Sequence, residues 1–160
     1  MKYILSFFLV LVLLAGLASC SEPEAVTYYY LRQKEHYLSG TENGIIVGET
    51  REAAGSVQNL QDLLILYLHG PSNDTLRPPF PKGTTLMGIE QQDSQLTVRL
   101  SHAAGTLEET DWVLACACLA QTCFGLTEAD SVTITAAEMS LTLTRNSLLL
   151  VDTATAPSAE

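Results

Sequence analysis

The chain has 160 residues, of which 47% are hydrophobic, and its formal net charge is -10. This length and composition favour one compact domain over two domains or a disordered chain. Its 8 basic residues are scattered among 18 acidic ones, so the clustered Lys and Arg of a nucleic-acid-binding face are missing and nucleic acid is not an expected partner.

The amino terminus has the pattern of an export signal. A positive start at Lys2 precedes an apolar run over residues 4–14 that only Ser6 interrupts, and small residues follow at 15–19. The run is shorter than the about 20 residues that a membrane-spanning helix needs. An ordinary secretory signal, cleaved near Ser19, is one interpretation of this pattern.

A more specific signal lies at the end of the apolar run. The sequence Leu17-Ala18-Ser19-Cys20 resembles the lipobox of bacterial lipoproteins, in which the cysteine receives a diacylglycerol before cleavage. The resemblance implies lipidation of Cys20, with palmitate as an expected acyl chain, and anchoring to the extracytoplasmic face of the cell membrane. The predicted divisions are a lipoprotein signal peptide at 1–19, a lipid-anchored tether at 20–26, a domain at 27–152 and a disordered tail at 153–160.

The first half of the domain predicts strands followed by a helix. Aromatic and β-branched residues at 26–37 and an apolar segment at 44–52, separated by turn-forming residues, predict two strands joined by a hairpin. An amphipathic helix is predicted next, with Ser56 as its cap and residues 69–71 at its end. Its apolar residues recur at i, i+3, i+4 and i+7: Leu60, Leu63, Leu64 and Tyr67.

The second half predicts further strands around a second helix. Pro and turn formers at 71–83 predict a loop, and the alternation in residues 96–100 predicts a half-buried strand that follows a turn at 92–94. Thr106 and Glu109 have the spacing of a capping box, which would open a helix that runs to about Gly125. Strand-forming residues return after it, with a turn at 145–147. The expected class is α+β, an antiparallel or mixed sheet with two helices packed on one face in the order β-α-β-β-α-β.

Three cysteines fall on the second predicted helix. Cys116 and Cys123 share one apolar stripe, but their Cα atoms would lie about 10.5 Å apart, beyond the about 6.8 Å that a disulfide spans. Cys118 points nearly opposite Cys116, since two residues rotate a helix by about 200°, so the pair cannot chelate one ion. We therefore interpret the stripe as core packing, with a thiol-redox or metal role as the alternative. The stripe comprises Trp112, Ala115, Cys116, Leu119, Ala120 and Cys123.

Other candidates for chemistry are isolated. His36, His69 and His102 lie far apart in the sequence, which favours surface roles over a metal site. The acidic residues at 108, 109 and 111 crowd the first turn of a helix, where the helix dipole favours negative charge. No nucleophile elbow, phosphate-binding loop or zinc-protease motif is present. We expect no cofactor, no metal and no catalytic residue.

Residues 60–140 resemble the GerMN domain of bacterial sporulation and germination lipoproteins. The matching parts are a leucine-rich helix that closes at Gly70-Pro71, the turn at 80–86 that enters a strand, and the alternating strand at 96–101. The resemblance implies a membrane-anchored, non-catalytic binding or assembly module of the cell envelope that acts in sporulation or germination. The chain departs from the family pattern at His102-Ala103-Ala104 and at the three cysteines.

Three functional hypotheses follow from these features. The first is the binding module, which would present a surface to a protein partner or to a second copy of the chain. The tyrosines at 28–30 suit such a surface, although strand alternation equally allows Tyr28 and Tyr30 to face inward with Tyr29 alone exposed. The second is an envelope enzyme, above all a thiol-redox protein that uses the cysteine helix. The third is a small-ligand binder in which the loop at 71–83 acts as a mobile lid.

Overall fold

A computed structural model of the chain describes residues 25–33, 44–52 and 59–148. Within these residues the elements confirm the α+β class. The signal peptide, Cys20, His36 and Ser56, the hairpin turn before residue 44 and the tail all lie outside them. The strands are β1 (Ala25–Arg32), β2 (Ile46–Glu52), β3 (Leu76–Arg77), β4 (Leu86–Gln92), β5 (Gln95–Leu100), β6 (Ser131–Ala136) and β7 (Met139–Thr144). The helices are α1 (Leu60–Leu68) and α2 (Glu109–Leu126), with 3₁₀ segments at His102–Thr106 and Arg145–Leu148.

The described strands form two sheets rather than one. The first sheet has the order β2-β1-β3 and the second the order β4-β5-β6-β7. All neighbouring strands are antiparallel except β5 and β6, which run parallel on either side of α2 in the sequence. Beside the part of β1 that β3 does not cover, the Tyr29 backbone N–H donates instead to Thr122 Oγ1 of α2, at 2.9 Å. A helix side chain thus takes the place of a further strand.

The helix α1 follows its predicted periodicity but begins later than Ser56. Asn59 is its N-cap, and the Asn59 Oδ1 accepts a hydrogen bond from the Asp62 N–H at 2.9 Å. The predicted end is confirmed, because His69 is the C-cap and Gly70 follows it with a φ of 98°. A positive φ is costly for any residue with a Cβ, so glycine suits the end of this helix.

The helix α2 is present as predicted, but the capping box is wrong. Thr106 lies two residues before the N-cap, within the preceding 3₁₀ segment, where its hydroxyl donates to the Ala103 carbonyl at 2.9 Å. The helix begins after Glu108, whose extended backbone forms the N-cap without a side-chain hydrogen bond. Glu109 and Asp111 occupy the first turn, where the positive end of the helix dipole stabilises their negative charges.

Two turns and one strand differ from the sequence interpretation. The turn between β4 and β5 is confirmed, with Asp93 at a φ of 50°. A second hairpin turn at Ala137 and Glu138 was not predicted, since neither residue is a typical turn former. The predicted turn near residue 145 is the 3₁₀ segment that follows β7. The loop at 71–83 contains the unpredicted strand β3, which pairs with the end of β1.

One apolar core joins both helices and both sheets. The helix α2 contacts β1 of the first sheet and β6 and β7 of the second, while α1 contacts β4 and packs Tyr67 against Tyr30 of β1. Phe80 and Trp112 meet edge to face in this core, with ring centroids 6.4 Å apart. Because α2 contacts strands of both sheets, more than one of its sides is buried.

Candidate functional site

The predicted lipidation site lies outside the described residues. Cys20, the signal peptide before it and the tether after it carry no structural description, so lipidation remains a prediction from the sequence. Within the described residues, no helix is both long and apolar enough to cross a bilayer.

The three cysteines of α2 are buried. The predicted stripe is confirmed, since all six of its residues are in the core and Cys116 and Cys123 are 0% exposed. Cys118 is also 0% exposed, although it points away from the stripe. The sequence could not show this burial, because it results from the contacts of α2 with two sheets.

Burial also disfavours the ionised, reactive form of these thiols. It raises the pKa of Cys116, Cys118 and Cys123 to about 12 each, from an ordinary value of 9.0. For Cys118, the charge of Arg77 acts in the opposite direction but is the smaller effect. The thiolate is the nucleophilic and metal-binding form, and at neutral pH almost none of it is present here. The geometry therefore favours packing over redox chemistry for this helix.

The two described histidines, His69 and His102, do not converge with other metal ligands among the described residues, and His36 lies outside them. Within the described residues, no group of three His, Cys, Asp or Glu side chains is arranged to hold a metal ion. His69 is the C-cap of α1, and its Nδ1 lies 2.8 Å from the Ile65 carbonyl oxygen. A carbonyl only accepts, so Nδ1 carries the hydrogen of this bond. His102 is an exposed residue at the start of a 3₁₀ segment.

The tyrosines of β1 divide between the two faces of the strand. Tyr28 and Tyr30 are buried and pack with Tyr67 of α1, and the Tyr30 and Tyr67 rings stack with centroids 5.0 Å apart. The Tyr30 hydroxyl donates to the carbonyls of Tyr67 and Gly70, at 3.1 and 3.2 Å. Tyr29 faces the other way and is partly exposed. The inward alternative for Tyr28 and Tyr30 is therefore confirmed, and they cannot form an interface.

A charged pair that the sequence analysis missed lies above this cluster. The Arg51 guanidinium carbon is 5.2 Å from the Tyr28 ring centroid and 5.5 Å from that of Tyr30. Its Nε donates to Glu49 at 3.1 Å and its Nη2 donates to the Gly70 carbonyl at 2.9 Å. The alternation in the "GETRE" segment was the available signal, since it places Glu49 and Arg51 on one face of β2.

Tyr29 is the centre of the opposite face of the first sheet. A Cβ placed on Gly48 would lie 3.4 Å from Tyr29 Cε1 and 3.0 Å from Thr27 Cγ2, so the ring extends over the glycine of the neighbouring strand. The hydroxyls of Thr27 and Thr50 meet beside it at 3.1 Å. We call the surface formed by Thr27, Tyr29, Ile46, Gly48 and Thr50 the Tyr29 face. It offers one aromatic ring, one partly buried isoleucine and two hydroxyls to a partner.

The fold resembles solved GerMN domains. The chain is 15% identical to the first GerMN domain of the sporulation protein GerM from Bacillus subtilis, with a TM-score of 0.54, and the match covers 74% of this chain and 86% of that one. The tandem GerMN domains of the same protein give a TM-score of 0.54 at 15% identity, over 78% of this chain and 43% of that one. At this identity the likeness shows the fold alone.

The family comparison covers most of the domain. No curated protein matches the chain significantly. The Germane family model, described as sporulation and spore germination, matches residues 27–141, which is well over half of the chain. The chain therefore belongs to the Germane family and carries a GerMN domain.

Proposed function

We propose that this protein is a lipid-anchored, extracytoplasmic binding or assembly module of the cell envelope that acts in sporulation or germination without catalysing a reaction. The family description supports the biological setting. The sequence Leu17-Ala18-Ser19-Cys20 supports the anchor, because a lipobox follows an apolar export signal. In this proposal Cys20 carries the lipid and the domain lies on the outer side of the membrane.

The state of the cysteine helix supports a role without catalysis. An enzyme that used Cys116, Cys118 or Cys123 would need an accessible thiolate, whereas all three thiols are buried and their pKa values are about 12. This is the observation that carries the proposal, since the cysteines were the strongest candidates for chemistry in the sequence.

The Tyr29 face is the proposed binding surface. Tyrosine supplies a large apolar area and a hydroxyl at little cost in side-chain entropy, and it is enriched in protein interfaces. β2, which bounds this face, is the outer strand of its sheet among the described residues. A membrane anchor would raise the local concentration of neighbouring envelope proteins, so that a surface of this modest size could recruit a partner or a second copy.

Matched substitutions at Tyr29 test the proposal. Tyr29→Phe keeps the ring and Tyr29→Glu places a charge on the face, while Thr142→Glu places the same charge on an exposed position of β7. Covalent crosslinking in membranes of the native host should give a discrete adduct with the wild type, Tyr29→Phe and Thr142→Glu, and lose it with Tyr29→Glu. An adduct that Tyr29→Glu leaves unchanged would contradict this surface, provided that circular dichroism shows the variant folded.

A further inference from the structure

A groove lies between the helix α1 and the segment that connects β3 to β4. Its volume is about 740 Å³, within the range of about 300–1,000 Å³ that is typical of small-molecule sites. We call it the α1 groove. Its walls among the described residues are Ile65, Leu68, His69, Pro78, Phe80 and the run from Pro81 to Leu86.

The connecting segment is held in place rather than hanging over the groove as a lid. Leu76 and Arg77 pair with the end of β1, and the Thr84 N–H donates to the Pro81 carbonyl at 3.1 Å across a tight turn. Gly83 has a φ of 90° in that turn, a conformation that glycine adopts without strain. The groove is therefore formed before any ligand arrives, and binding would not require ordering of this segment.

The walls are apolar and the only fully charged side chain among them is basic. Ile65 is 39% exposed, and Leu68 and Phe80 lie in the same walls. Lys82 is an exposed residue of these walls, and no described wall residue is acidic although the whole chain has 18 acidic residues. Neither ion pair among the described residues involves Lys82.

From this arrangement we propose that the α1 groove binds a small amphipathic carboxylate. The apolar body lies along Ile65, Leu68 and Phe80, and the carboxylate lies at Lys82. A single lysine matches a ligand with one negative charge, whereas phosphate groups are usually held by several cationic or backbone donors. This binding goes beyond the proposed assembly role and uses a different surface from the Tyr29 face.

The chain contains its own reporter of occupancy. Trp112 is its one tryptophan, and its ring lies edge-on against the Phe80 ring with the centroids 6.4 Å apart. A ligand that contacts Phe80 changes the surroundings of this pair. Titration of the full chain in phospholipid nanodiscs with decanoate, below micelle-forming concentrations, should therefore give a saturable change in tryptophan fluorescence. Decanol and decylamine, which have the same apolar chain, should bind more weakly.

Three variants define the result. Lys82→Gln should weaken decanoate binding about fivefold, since an exposed charge contributes at most about 1 kcal/mol. Ile65→Glu, which places a negative charge on the apolar wall, should abolish the saturable change in fluorescence. The fluorescence titration of this variant also serves as the blank for decanoate that enters the lipid of the nanodiscs. Arg99→Gln removes a basic residue from an exposed position on β5, outside the groove, and should leave binding unchanged.

Several outcomes would overturn the inference. The first is a wild-type fluorescence titration that shows no saturable change beyond that of Ile65→Glu. The second is an equal affinity for decanoate and decylamine. The third is an equal effect of Lys82→Gln and Arg99→Gln on the affinity for decanoate. Crosslinking through the Tyr29 face would be unaffected by these outcomes, so failure of the groove is distinguishable from failure of the proposed function.

Discussion

Glu49 and Arg51 lie two residues apart on one face of β2, and together they attach that strand to the end of α1. Arg51 donates to the Gly70 carbonyl at 2.9 Å, while Glu49 Oε1 accepts from the backbone N–H groups of Ser72 and Asn73, at 3.1 and 2.9 Å. The Arg51 side chain is 18% exposed and the Glu49 side chain is 12% exposed. The pair therefore fixes the loop after α1 to the first sheet, above the buried tyrosines.

Removal of Arg51 should destabilise the domain strongly. Arg51→Met keeps the apolar stem but removes the charged partner of Glu49 and one of the two donors to the Gly70 carbonyl, so we expect a loss of about 2–3 kcal/mol in the free energy of unfolding. Urea denaturation measures this loss. The control is Arg99→Met, which breaks the ion pair between Arg99 and Glu90. These side chains are 54% and 59% exposed, so the substitution should cost less than about 1 kcal/mol of unfolding free energy. Equal costs for the two substitutions would show that the Arg51 contacts do not stabilise the fold.

Substitution of the stripe cysteines should affect stability alone. Cys116→Ala and Cys123→Ala each remove a buried sulfur, and each should cost on the order of 1 kcal/mol and lower the melting temperature by a few degrees. Cys123→Ser should cost more, because it buries a hydroxyl in an apolar site. Scanning calorimetry gives the three values. Stoichiometric zinc in the purified protein, lost in any of these variants, would instead show a metal role.

The same thiols should make the domain less stable in alkali. Their pKa values are about 12 in the folded protein and 9.0 ordinarily, so the unfolded chain binds fewer protons between these limits. Their contribution to stability is thus fully present below about pH 9 and is lost as the pH rises to about 12. Each thiol lowers the free energy of unfolding by up to about 1.4 kcal/mol per pH unit in this window.

Burial also raises the pKa of Tyr28, Tyr30 and Tyr67, which adds to the alkaline loss in the same direction. Urea midpoints measured from pH 8 to pH 11 should fall steadily for the wild type, and Cys123→Ala should show a smaller slope. A Cys123→Ala slope identical to that of the wild type would mean that this thiol ionises as easily in the folded protein as in the unfolded chain.

Lipidation at Cys20 is tested by substitution. Cys20→Ala removes the acceptor of the diacylglycerol, so the protein should remain unprocessed or leave the membrane fraction. Detergent phase partitioning, together with mass spectrometry of the mature amino terminus, distinguishes these forms. If the wild type and Cys20→Ala partition equally and neither carries a lipid, the chain has an ordinary secretory signal.

The helices, one hairpin and the cysteine stripe could be predicted because each depends on local periodicity. Leu64 and Tyr67 recur at helical spacing and are buried, and the turn at Asp93 has residues that tolerate a positive φ. The same reasoning failed at the start of α2, where Thr106 bonds within the preceding 3₁₀ segment instead of capping the helix. A capping box depends on the entry path of the chain, which residue spacing alone does not determine.

Features that depend on distant contacts could not be predicted. β3 has only two residues and forms because Leu31 and Arg32 offer an edge to it. Cys118 is buried because α2 contacts both sheets, although the helical wheel alone would place it on the outside. The α1 groove likewise brings Ile65 together with Lys82, which lies on a separate segment of the chain.

The central claim is that the domain acts by binding through the Tyr29 face, and site-specific photocrosslinking tests it most directly. A benzophenone amino acid would replace Tyr29 in the full chain expressed in the native host during sporulation, with Thr142 as the exposed control position on β7. Irradiation of intact cells should give a discrete adduct of defined mass from position 29 and none from position 142. The same yield and pattern of adducts from both positions, or none from position 29 in correctly folded, membrane-located protein, would contradict the claim.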